Sequence, residues 1–189
     1  MEKDLILFLK AEKKNFHDFL LKGKKSDKKL ICSLEHKWGR EKLIFYKNKG
    51  YIGNKVKEET NQWSNIIGEC LVKNLLEIKG EKVWKPKKKK DDIGNVLPDL
   101  ETDKAVYEVK TRNYCTAGTA GEKTLGTPLK YINIPELYDK PLYIVLVGYA
   151  EEEYKNLLLN REKYLKKRRN LLKYYETQNI FFIGDSSLL

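Results

Sequence analysis

Apolar residues recur at helical spacing in two stretches of the chain. Leu5, Phe8, Leu9, Phe16, Phe19 and Leu20 predict a helix over residues 1–22. Trp63, Ile66, Ile67, Cys70, Leu71, Leu75 and Ile78 follow the i, i+3, i+4, i+7 rule and predict an amphipathic helix over 62–79. Gly80 stands where a C-terminal cap would close it. Residues 23–60 show no period. They read as an irregular basic arm, turning at Gly50 and Gly53, with Trp38, Phe45, Tyr46 and Tyr51 set among lysines.

Beyond Gly80 the pattern changes. Residues 81–85 read as a short strand, and Lys87 to Lys90 with Asp91 and Asp92 as an exposed loop. Segments 96–100 and 105–110 flank the polar pair Thr102-Asp103 and predict a β-hairpin. Residues 141–148 are almost continuously apolar, as in a strand buried on both faces. A long basic helix over 151–178 and a strand over 180–183 complete the chain. Helix, three strands, loop or short helix, strand, helix, strand is the order of an α/β fold, a mixed sheet with helices on both faces. The division expected is 1–60, an N-terminal helix and basic accessory arm, and 61–189, the core, within one compact body.

Composition narrows the function. Lys and Arg total 38 against 27 Asp and Glu, a formal net charge of +11 over 189 residues. That excess favours an anionic partner, nucleic acid before anionic lipid. No apolar run approaches the ~20 residues of a membrane span, and no signal-peptide pattern opens the sequence. Cys32, Cys70 and Cys115 are odd in number, widely spaced and unsuited to a disulfide framework, so a reducing, cytoplasmic setting is expected. Cys32 and His36 make at most half a zinc site. Two histidines leave little for imidazole chemistry, and no phosphate-loop motif for ATP is present.

The chemistry concentrates in Pro98-Asp99 and, nine positions beyond the aspartate, Glu108-Val109-Lys110. Glu108 and Lys110 are two apart on a strand, so they share a face with Val106, while Tyr107 and Val109 take the other. A hairpin brings Asp99 beside Glu108. Two adjacent carboxylates repel, and a hard divalent cation such as Mg²⁺ is the usual remedy. Lys110 beside that ion would position or deprotonate the attacking water and stabilise charge on a phosphate. Glu12-Lys13-Lys14 and Glu35-His36-Lys37 match the second half of this pattern, but neither follows a Pro-Asp or lies in an apolar strand.

Those residues resemble the signature of the PD-(D/E)XK nuclease superfamily, whose best-known members are Type II restriction endonucleases. The resemblance covers about residues 60–150 and implies a restriction-endonuclease-like αβββαβ core. It implies Asp99 and Glu108 as Mg²⁺ ligands, the Val109 carbonyl as a third oxygen and Lys110 as the catalytic lysine. It also implies a further carboxylate on the preceding helix. Glu69, about 60° outside the apolar stripe, matches that position, and Glu77 is its rival. The activity implied is Mg²⁺-dependent hydrolysis of double-stranded DNA. A twofold homodimer and a companion DNA methyltransferase are the partners a restriction enzyme would have. A junction-resolving, repair or nicking nuclease, or a non-catalytic nucleic-acid-binding protein, are the alternatives.

Contacts to DNA are expected from the segment after the signature. Arg112 and Asn113 suit base edges. Thr116 and Thr119 offer hydroxyls, Gly118 and Gly121 allow close approach to phosphate, and Lys123 and Lys130 could hold phosphates. The basic residues of the 151–178 helix would add salt-dependent affinity without sequence information.

Overall fold

The structure, a computed structural model, describes residues 28–53, 56–57, 60, 62–92, 94–112, 126–148, 150–151, 154–155 and 162–188. The helix expected over 1–22 lies outside these residues. So do Asn113, Thr116, Thr119 and Lys123 with the two glycines among them.

Helix α1 (Lys28–Asn48) occupies the stretch read as irregular. Its buried row is Glu35, Gly39, Leu43 and Tyr46, which is helical spacing. Two of those four are a glutamate and a glycine, so hydropathy alone does not register the row. Gly39 is a notch for Trp63: a Cβ there would stand 2.2 Å from the indole. Leu43, Tyr46, Ile52 and Trp63 form a small core, with Ile66, Ile67 and Cys70 packed against it.

Helix α2 (Trp63–Ile78) matches the expected amphipathic helix. Its apolar surface is split. Trp63, Ile66, Ile67 and Cys70 meet α1, while Val72, Leu75 and Leu76 cover the sheet. Gly80 caps it as expected, with φ +83°. The Gly80 N–H donates to the Glu77 carbonyl and the Glu81 N–H to the Leu76 carbonyl, the paired bonds of a Schellman turn.

Two short strands follow, β1 (Lys89–Lys90) and β2 (Asn95–Val96), paired antiparallel. The lysine run is therefore partly strand rather than wholly loop. Tyr138 anchors it, accepting Lys89 against its ring and donating its hydroxyl to the Lys87 carbonyl. Residues 81–85 contribute only an isolated bridge from Trp84 to Glu101.

The main sheet has the order β3 (Leu100–Glu101), β4 (Val106–Arg112), β5 (Leu142–Gly148), β6 (Ile180–Gly184). β3 runs antiparallel to β4; β4, β5 and β6 are parallel. The expected hairpin is present, its turn held by the buried Thr102 hydroxyl, which accepts from the N–H groups of Lys104 and Ala105. β5 lies in the middle, with Ile144, Val145, Leu146 and Val147 all buried.

One face of the sheet, with Tyr107, Val109, Val145 and Val147, packs on α2. The other, with Val106, Ile144 and Leu146, packs on α3 (Ile134–Tyr138) and on Tyr175 of α4 (Glu162–Thr177). The architecture is a mixed α/β sheet between helices. A final turn, Asp185–Leu188, returns Leu188 to the α2 face.

Cys32 is disulfide-bonded, against the expectation from an odd, widely spaced set, whereas Cys70 carries a free thiol. Spacing along a chain does not limit which residues folding brings together. Among the described residues no helix is long and apolar enough to cross a membrane.

Candidate active site

The β3–β4 register pairs Leu100 with Tyr107, so the preceding residue, Asp99, lies opposite Glu108. The Asp99 N–H donates to the Tyr107 carbonyl at 3.0 Å. Its carboxylate turns back to the same strand, where Oδ2 accepts the Val109 N–H at 2.8 Å. Asp99 is thus held by backbone at both ends. By strand alternation residue 109 presents its backbone groups toward β3, so the Val109 carbonyl faces the side on which Asp99 stands.

Glu108 is almost fully buried, and its Oε1 accepts the Lys110 ammonium at 2.5 Å. Its Oε2 is buried as well. The carboxyl is pushed up to about 7, first by burial and next by the charge of Asp99; Lys110 opposes the shift.

Tyr131, from the turn before α3, closes the site from the other side. Its hydroxyl interacts with the Glu108 carboxylate and accepts from Lys130 at 3.0 Å, and burial followed by the Glu108 charge raises its pKa. Sequence reading missed Tyr131, which carries no local motif.

Glu69 joins from α2. At Gly68 the helix comes so close to β4 that a Cβ would meet Thr111 Oγ1 at 1.7 Å. That contact sets the next residue, Glu69, at the β3 edge of the sheet. Its carboxyl is raised by burial, then by Asp99, with Lys85 and Lys110 opposing. Lys85 stands between, 3.8 Å from Glu69 Oε2 and 4.0 Å from Asp99 Oδ1. Glu77 lies elsewhere, in a surface pair with Lys73 at 3.6 Å. The structure thus brings together Asp99, Glu108, Val109, Lys110 and Glu69, and adds Lys85 and Tyr131. Lys85 had read only as part of a strand.

Of the residues expected to touch DNA, Arg112 ends β4 with its side chain half-buried, and Lys130 is exposed beside Tyr131. Among the described residues no group of three or more His, Cys, Asp or Glu side chains has the spacing of a metal site. The donor set nevertheless suits a hard dication. One carboxylate is buried, a second is anchored beside it, and a backbone carbonyl faces the same side. Asp99, Glu108 and the Val109 carbonyl are the groups that would hold it.

No protein-family model matches the chain, and no curated protein or solved structure is significantly similar to it.

Proposed function

We propose that the chain is a Mg²⁺-dependent endonuclease of the PD-(D/E)XK kind that hydrolyses double-stranded DNA, in the manner of a sequence-specific Type II restriction enzyme. One observation carries the reading. Asp99, Glu108 and Lys110 converge on one spot, with Glu108 buried between the Lys110 ammonium and the charge of Asp99. A bound Mg²⁺ would supply Lewis acidity and a water of lowered pKa.

The chain's own groups do the rest. Asp99 and Glu108 present oxygens from adjacent strands, so the hairpin itself sets their separation. Lys110 offers its ammonium to the negative charge that grows on the phosphate and to the attacking water. The water oxygen bonds to phosphorus and gives up one proton to solvent, while the ester P–O bond breaks and its oxygen leaves with the electron pair and takes up a proton from solvent, without a covalent enzyme intermediate. Glu69 and Tyr131 border the same space and can orient water.

Three further features support a DNA substrate. The net charge is +11. Lys166, Lys167, Arg169 and Lys173 form an exposed basic set on α4. Arg112 and Lys130 follow the Asp99–Glu108 pair in the chain, four and twenty-two residues beyond Glu108. A palindromic target would call for a twofold homodimer, one active site per strand, and a companion methyltransferase would protect host DNA. The cytoplasm follows from that substrate rather than from the cysteines, since Cys32 is disulfide-bonded.

The test is incubation of the purified protein with unmethylated plasmid and Mg²⁺, followed by mapping of fragment ends. Discrete ends are expected, and Asp99→Ala and Lys110→Ala should each lower the rate by at least ~10²-fold. Cutting confined to branched or damaged substrates would favour a resolvase or repair nuclease. Duplex binding with no cutting would leave a non-catalytic nucleic-acid-binding protein.

A further inference from the structure

Lys85 has no part in the roles above, yet its ammonium lies almost equally far from Glu69 Oε2 and Asp99 Oδ1, at 3.8 and 4.0 Å. Backbone fixes where it starts from. Trp84 and Glu101 exchange two main-chain bonds of 2.9 Å, which sets the following residue beside the end of β3. Lys85 is more than half exposed, so its ion pairs add little to stability. Its effect lies in where it puts a positive charge.

Given the nuclease reading, we propose that Lys85 is the site's built-in second cation. Its ammonium takes the place between Glu69 and Asp99 and limits the chain to a single divalent ion, at Asp99 and Glu108. Charge balance is the reason. Glu69, Asp99 and Glu108 bring three negative charges when ionised, and Lys85 and Lys110 bring two positive ones. One dication turns this net of minus one into plus one. A second would leave plus three and would have to evict the ammonium from between its own ligands. Without Lys85, Glu69 and Asp99 form an uncompensated pair of oxygens of the kind a dication takes.

The experiment is titration of the full chain with Mn²⁺ alone, bound ion being counted by electron paramagnetic resonance. The parent should take up one Mn²⁺ per chain and Lys85→Met two, whereas Lys85→Arg, which keeps the charge, should return to one. Lys85→Gln, run alongside, keeps the test open to failure if the methionine variant does not fold. A parent that binds two ions, or neutral variants that still bind one, would overturn the Lys85 role and leave the nuclease reading standing. A parent that binds none, with Asp99→Asn indistinguishable from it, would overturn both.

Discussion

Glu108 is a carboxylate taken almost wholly out of water. Its carboxyl, ordinarily near 4.5, titrates near 7 in the folded chain because burial and then Asp99 disfavour the charge. The folded state therefore keeps a proton between these values where the unfolded chain has released it. The stability this contributes is full below about pH 4.5 and is lost as the pH rises through 7, an effect on the order of 3 kcal/mol in metal-free protein. Urea unfolding at pH 5 and pH 8 should show that loss. Glu108→Gln should flatten it while abolishing cutting. Equal pH dependence in parent and variant would show that Glu108 is not the buried charge described here.

At the scale of elements, the approach of α2 to β4 decides whether Glu69 belongs to the site. Gly68 has no side chain, and Thr111 Oγ1 occupies the space a Cβ would need. Among the described residues that buried hydroxyl has no hydrogen-bond partner, so the threonine can lose it at little cost. Gly68→Ala should destabilise the fold by about 1–3 kcal/mol, as overpacking does, and should slow cutting by displacing Glu69. Adding Thr111→Ala should recover much of both losses, since residues in contact couple. Melting temperatures and cutting rates of the two single variants and the double variant would check this. Simple addition of the losses would place the helix farther from the strand than 68 and 111 require. α1 follows the same rule, because Trp63 sits where Gly39 leaves room.

For the whole molecule the dominant quantity is charge. On the nuclease reading proposed above, a net +11 with Lys166, Lys167 and Lys173 exposed on α4 makes phosphate neutralisation the expected main source of duplex affinity. Binding to an uncut duplex without divalent ions should weaken by ~10³-fold or more between roughly 50 and 200 mM salt. Reversing those three lysines to glutamate should lower affinity and reduce the log–log salt slope by about 3 if each meets a phosphate. Filter binding across a salt series would measure both, and an unchanged slope would remove α4 from the interface.

The strands around 105–110, 141–148 and 180–183, α2 with its Gly80 cap, and the hairpin joining Asp99 to Glu108 were legible in the linear chain. Each rests on periodicity or on turn chemistry within about twenty residues, where neighbours along the chain are neighbours in space. α1 was not legible, because its buried row runs through Glu35 and Gly39, and only Trp63 explains why the glycine is there. Nor did local pattern choose between Glu69 and Glu77, or bring Lys85 and Tyr131 to the carboxylates. Those placements depend on how α2, the Trp84 bridge and the turn before α3 pack around the end of one strand. Residues distant in sequence meet there through close packing and a paired backbone, which no local period encodes.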